Sequence, residues 1–177
     1  MAECPPRLDN GDMEEAVLIQ NAQIYASQHQ LELAERLGFG IHGIIFTAKD
    51  KLEGGERAVK VHRESEPYSR ERAAYERLKQ AVISKILGFN VPQFISADDD
   101  LRVIEMSVVT RPFVLDFAGA YLNAPPEFSD EIWAEWESGK REQFDDRWPK
   151  VQSVLAALEA LDIFMVDVSP SNIAFFD

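Results

Sequence analysis

The sequence predicts an α+β protein in two lobes: a five-stranded antiparallel sheet carrying one long helix, followed by a short helical lobe. Three observations carry that expectation. Alternating apolar residues such as Leu31, Leu33 and Leu37, then "GIIFTAKD" and "GGERAVKVHR", read as three strands, and "VPQFISADDDLRVIEMSVV" reads as two more around an acidic turn. Between them, "PYSRERAAYERLKQAVISKIL" (67–87) has helical spacing. Beyond residue 110 the composition turns helical and aromatic, with no internal repeat or low-complexity tract.

Residues 1–11 read as a loose leader ending in a turn. A helix follows from Asp12 as its cap, with Glu14 and Glu15 in the first turn and Val17, Leu18 and Tyr25 on its apolar stripe. The helix after the third strand is opened by Pro67 and terminated by Gly88, and its inward face is expected at Ala74, Tyr75, Leu78, Val82 and Leu87. Then come "FVLDFAGAYL", "EIWAEWESGKREQF" and "WPKVQSVLAALEALDIF" as helical segments, the last with Val151, Val154, Leu155, Leu158 and Leu161 in register. The expected organisation is 1–30 leader and helix, 31–108 β-rich lobe, and 109–177 short helical lobe, divided near 108–112.

Composition excludes several classes. The net charge of −13 comes with no lysine/arginine stripe, which argues against a nucleic-acid partner. No apolar run reaches membrane-spanning length and no secretion signal opens the chain, so the expected address is cytoplasmic with no membrane partner. Cys4 is the sole cysteine, which leaves no intrachain disulfide. His29, His42 and His62 have no spacing that brings two onto one metal.

The candidate chemistry starts at "LGFGIHGIIF" (37–46), where Gly38, Gly40 and Gly43 follow G-x-G-x-x-G. The β-branched residues that follow place these glycines between two strands, so backbone N–H groups can approach phosphate oxygens while Ile45 lies over a flat base. The alternative is a plain glycine-rich hairpin turn. In "RAVKV", Ala58 and Lys60 share one strand face, with Val59 and Val61 on the other. Lys60 can meet phosphate, and Ala58 leaves room for a planar ring. A phosphate-binding lysine needs an acidic partner. Glu71, with Ala74, Tyr75 and Leu78 at spacings of three, four and seven, is preferred over Glu76. The chain closes on "DVSPSNIAFFD" (167–177), an acid followed five positions later by an amide.

Taken together, Gly38/Gly40/Gly43, Ile45, Ala58, Lys60, Glu71, "VIEMSVV", Asp167 and Asn172 resemble the protein-kinase-like superfamily, including its bacterial protein kinase and aminoglycoside or choline kinase relatives, over roughly residues 30 to 176. The resemblance implies a two-lobed fold with ATP and magnesium in a cleft. Lys60 would then hold the α- and β-phosphates, paired with Glu71, and Ile104 to Val108 would form a hinge where Glu105 and Ser107 offer backbone groups to adenine. Asp167 would accept the proton of a substrate hydroxyl and Asn172 would hold magnesium. The implied partner is a hydroxyl-bearing small molecule or protein Ser/Thr.

The chain also departs from the family pattern. Met165 and Val166 stand where His-Arg or His-Gly precede the acid, and Ser169 stands where protein kinases keep a lysine. The family's Asp-Phe-Gly, about a dozen residues beyond the asparagine, does not follow Asn172; Asp177, about 16 Å away along an extended strand, is a poor substitute. These departures imply the alternative of a catalytically impaired pseudokinase, a nucleotide-sensing or scaffolding module.

Overall fold

The computed structural model of the chain describes residues 10–176, with side chains from Glu14 on. Cys4 and Asp177, both weighed above, lie outside the described residues. In chain order the elements are α1 (Asn10–Gln28), β1 (Leu31–Gly40), β2 (Gly43–Asp50), β3 (Glu56–His62), α2 (Ser65–Gln80), β4 (Lys85–Ile86), β5 (Phe89–Asn90), β6 (Phe94–Asp98), β7 (Val103–Ser107), β8 (Phe113–Val114), β9 (Tyr121–Leu122), α3 (Asp130–Phe144), α4 (Trp148–Glu159), β10 (Ile163–Phe164) and β11 (Ile173–Ala174). The protein is α+β, with a five-stranded antiparallel sheet in the order β1-β2-β3-β7-β6. Among the described residues, no helix is long and apolar enough to cross a membrane.

One compact unit takes the chain up to Ser65 together with Ser96–Glu105, and the other takes Glu66–Ile95 together with Met106 onward. The chain therefore changes unit three times, not once near 108–112. The reason is the attachment of α2. Its Tyr75 meets Phe117 edge-on at 5.2 Å, and its Arg77 donates to the carbonyls of Leu161 (3.3 Å) and Asp162 (2.8 Å) and to Asn123 Oδ1 (2.7 Å).

In the first unit, α1 covers one face of the sheet. Leu18, Ala22, Tyr25 and Ala26 are spaced at four and three residues, so they share a helix face and pack with Ile44, Val59, Val61 and Val103. Burying one such large apolar side chain contributes about 1.5–3 kcal/mol. The helix begins at Asn10, ahead of the expected cap Asp12, and Val17 is 50% exposed and so lies off the buried stripe. In β1 the expected alternation fails past Leu33, because register shifts intervene between Leu33 and Arg36 and again between Arg36 and Gly38. There the Thr47 hydroxyl satisfies both the N–H (3.0 Å) and the C=O (3.2 Å) of Glu35. Leu37 consequently ends up exposed.

In the second unit, α2 buries Tyr68, Glu71, Ala74, Tyr75 and Leu78 but stops at Gln80, seven residues before the expected end. Val82 takes φ 57 and donates to Lys79 O at 3.0 Å, while Ile83 N–H bonds Leu78 O at 2.9 Å. That paired closure satisfies the last carbonyls and turns the chain out. Val82 and Leu87, expected inward, are exposed instead.

The segment 113–122 is not helical, contrary to its composition. Phe113 and Val114 pair with Ala174 and Ile173, and Phe113 also pairs with Asn90, so cross-chain pairing overrides local preference. Asp116, expected on a helix surface, sits in a loop at φ 66. Residues 130–159 are helical in consecutive pieces. Ser129 Oγ accepts the Ile132 N–H at the start of α3, and a 3-10 turn at Asp145–Arg147 joins α3 to α4. Val151, Val154, Leu155 and Leu158 are buried on α4. Leu161 lies beyond the end of α4, where the N–H groups of Leu161 and Asp162 bond the carbonyls three residues back, at Leu158 and Glu159.

Candidate functional site

The first unit contributes a row of three residues fixed by register. Gly38 stands opposite Ile45, and Ile45 opposite Lys60. Residues directly opposed across antiparallel strands project from the same face. Ile44, Val59 and Val61 fill the α1 face, so the row lies on the other one. Thr47 and Ala58 make the next pair along it. Lys60 is 3% exposed, and Ala58 is buried too. A buried ammonium is stable only when compensated by charge and hydrogen bonds.

The three glycines differ in what the protein itself requires of them. At Gly43, φ is 149° and a Cβ would fall 1.9 Å from Val61 O, so β3 alone forbids a side chain there. At Gly38 and Gly40 a Cβ would meet nothing within 4 Å. No internal contact explains either of those two. The strand end that carries them is held from outside the turn: Phe39, between the two, lies 4.5 Å from the Arg36 guanidinium and 4.7 Å from that of Arg63. These arginines pair with Glu15 and Glu14, each at 2.7 Å. The His42 carbonyl accepts the Arg63 N–H at 3.1 Å, and Ile41 is exposed at the tip.

Glu105, in β7, has a side chain with a structural task. It accepts the Tyr25 hydroxyl at 2.8 Å and forms an ion pair with Arg57 Nε at 3.4 Å. Burial, reinforced by this carboxylate, pushes the Tyr25 phenol well above its ordinary value of 10.0 despite an opposing hydrogen bond with Ser96.

In the second unit Glu71 is 1% exposed on the inner face of α2, whereas Glu76 pairs with Arg72 at 2.8 Å nearer the surface. Burial and the neighbouring charges of Glu71 and Asp116 raise the Tyr75 phenol well above 10.0. Ser107, expected to offer its backbone to a base, donates its N–H to Gln93 O at 2.9 Å, and its hydroxyl accepts the Gln93 N–H at 2.9 Å. That N–H is therefore committed within the unit.

Asp167 and Asn172 lie on the loop between β10 and β11, whose ends are held in different sheets: β10 pairs with β9 and β11 with β8. Asn172, 5% exposed, closes the loop. Its Nδ2 donates to Asp167 O at 2.5 Å and its Oδ1 accepts the Ser169 N–H at 2.7 Å. The Asn172 carbonyl also accepts the Leu115 N–H at 2.9 Å. The Asp167 side chain is exposed. Beneath it runs Gly119, where a Cβ would come within 3.1 Å of Asp167 Cβ. Trp136 Nε1 donates to Val166 O at 2.8 Å, just ahead of the acid.

No protein-family model and no curated protein matches this chain. The chemistry of the site is therefore judged from its residues. After accepting one N–H, Asn172 Oδ1 keeps a lone pair, and the Asp167 carboxylate offers two oxygens. That suits magnesium, which takes one or two protein oxygens and completes its octahedron with phosphate and water. Among the described residues, no cluster of three or more His, Cys, Asp or Glu is placed to hold a metal alone.

Gly119 and Trp136, which shape the Asp167 loop from below and behind, were not singled out for it by sequence. "FAGAY" carried a run of small residues as a faint signal. The Trp136 hydrogen bond spans thirty positions and left none.

Proposed function

We propose that the chain binds ATP with magnesium and transfers a phosphoryl group to a hydroxyl, on a small molecule or on protein Ser/Thr, as its protein-kinase-like resemblance implies. The observation that carries this reading is the cross-strand row Gly38–Ile45–Lys60, in which a buried lysine is aligned with Gly38, while the missing side chains of Gly38 and of Gly40, two residues on, serve no contact inside the protein. A ligand whose phosphates approach the hairpin backbone accounts for both features. Under this assignment Lys60 meets the α- and β-phosphates with Glu71 as its acidic companion, and Ile45 and Ala58 bound the base. Asp167 accepts the proton of the attacking hydroxyl from an exposed position, and its loop is braced so that the carboxylate is pre-positioned. Magnesium, when bound, offsets the charge of the transferring group, with Asn172 Oδ1 among its ligands.

Asp167→Ala is expected to abolish acceptor-dependent ADP formation while ATP still raises the melting temperature through preferential binding to the folded state. Wild-type turnover in this variant contradicts the assignment.

A second reading, a nucleotide-binding pseudokinase, is favoured by the brace itself. Both polar ends of the Asn172 amide are used in closing the loop, which gives this residue a sufficient structural role without metal. Met165, Val166 and Ser169 around Asp167 also supply no positive charge to the transferred phosphate. ATP-induced stabilisation without ADP formation against any hydroxyl acceptor would select this reading.

A further inference from the structure

The connection between α2 and β5, residues 81–88 of the second unit, holds two apolar side chains out in solvent on a backbone that suits neither. Val82 is 86% exposed at φ 57, and Leu87 is 51% exposed at φ 49. The other six left-handed non-glycine residues among those described are all polar. Val82 stands where α2 closes, its N–H bonded to Lys79 O and that of Ile83 to Leu78 O. Glycine is the usual occupant of that position, and a β-branched residue at positive φ is an outlier. Leu87 and Gly88, at φ 49 and 95, form the two-residue turn between the paired β4 and β5. A turn with positive φ at both central residues favours asparagine before the glycine.

Folding alone would therefore place glycine at 82 and asparagine at 87. Burial offsets neither departure, so these side chains serve something outside the chain. The connection is also firmly seated. Ser84 O accepts the Val91 N–H at 3.0 Å and Ile83 O accepts from Gln93 Nε2 at 3.0 Å, which fixes the directions in which Val82 and Leu87 are presented.

Charge narrows the partner. From Arg77 to Ala97 the sequence has no acidic residue, in a chain that carries 31 of them. Lys79 and Lys85 are exposed on either side of Val82 in the chain, and Lys85 and Leu87 flank the buried Ile86. Salt screens charges beyond about 8 Å, so a short acidic segment meets mainly these lysines. A second copy of the chain, or an anionic membrane, would instead bring a whole charged surface against the net charge of −13.

We propose that residues 81–88 are a docking surface for a short acidic segment of another protein, with Val82 and Leu87 taking its apolar side chains and Lys79 and Lys85 meeting its carboxylates. The assignment is independent of nucleotide binding.

The test is a phage-displayed library of random dodecapeptides, selected on the wild-type chain and depleted on the double variant Val82→Gly/Leu87→Asn. Enriched peptides are expected to carry net negative charge and at least two large apolar residues. The leading peptide, labelled with fluorescein, should bind saturably in anisotropy, about tenfold more weakly to the double variant and about threefold more weakly to Lys79→Gln/Lys85→Gln. Val82→Gly and Leu87→Asn should each meanwhile raise the melting temperature by about 2–4 °C, because they relieve a left-handed backbone without removing a buried contact. No enrichment, enrichment of neutral or basic peptides, or undiminished binding to the lysine variant overturns the assignment. A lower melting temperature in either single variant also overturns it, since the side chain would then serve the fold. Self-association in sedimentation, or binding to phosphatidylserine vesicles, that is lost in the double variant would overturn the choice of an acidic segment as the occupant.

Discussion

In the first unit three strands of ten, eight and seven residues pair with one another, whereas in the second unit β4, β5 and β8 to β11 are two residues long. Long strands fix side-chain direction through many successive pairs, so the row carrying Lys60 follows from alternation and register. Two-residue strands cannot do this. The loop carrying Asp167 is instead held by individual polar side chains, the Asn172 amide and the Trp136 indole. Apolar truncation should thus do the greater damage in one unit, and loss of a single hydrogen-bonding group should be the telling change in the other.

The largest effect is expected at the core beneath α1. Leu18, 2% exposed, loses its packing in Leu18→Ala, which should destabilise the protein by about 2–5 kcal/mol in a denaturant titration. A loss below about 1 kcal/mol would mean that α1 does not hold the sheet face.

Next comes Asn172→Ala, which strips partners from the Ser169 N–H and the Asp167 carbonyl. It should destabilise by about 1–3 kcal/mol. The contrast between units is sharpest in hydrogen exchange: protection should fall across 165–174 and stay unchanged in 31–62. Equal loss in both segments would show that the loop is not locally braced.

The smallest effect is a pH dependence shared by the two units, through Tyr25 beside Glu105 in the first and Tyr75 beside Glu71 in the second. The phenols of Tyr25 and Tyr75 are both raised above 10.0 in the folded protein. The associated stability is fully present below pH 10 and is lost as the pH rises through the folded values, because the unfolded chain releases these protons first. A spectrophotometric titration of the native protein should find the phenols of Tyr25 and Tyr75 still protonated above pH 10, with their ionisation accompanying loss of the fold. Ionisation of all four tyrosines in one step near pH 10, with the fold intact, would contradict the burial of both.

Much of the first unit was legible in the sequence. The glycine hairpin and the third strand with Lys60 and Ala58 on one face follow from periodicity of two, and in the second unit Glu71 on the inner side of α2 follows from periodicity of about three and a half. The bulges near Arg36 were not, because a bulge leaves the composition of a strand unchanged while reversing its faces. In the second unit the helical reading of 113–122 failed, since its pairing partners lie some sixty residues later in Ile173–Ala174. The early end of α2 was equally hidden: a left-handed Val82 has no local signature of the kind a glycine gives. Asp167 and Asn172 were legible as a pair, but the support from Gly119 and Trp136 is wholly long-range.

The measurement that bears most directly on the central claim is a calorimetric titration of ATP into wild type and Lys60→Ala, with and without magnesium, after circular dichroism has verified that both are folded. One-to-one, magnesium-dependent binding in wild type that disappears in Lys60→Ala is the predicted result. No binding by wild type, or the same affinity in both proteins, would contradict the assignment of the Gly38–Ile45–Lys60 row to a nucleotide.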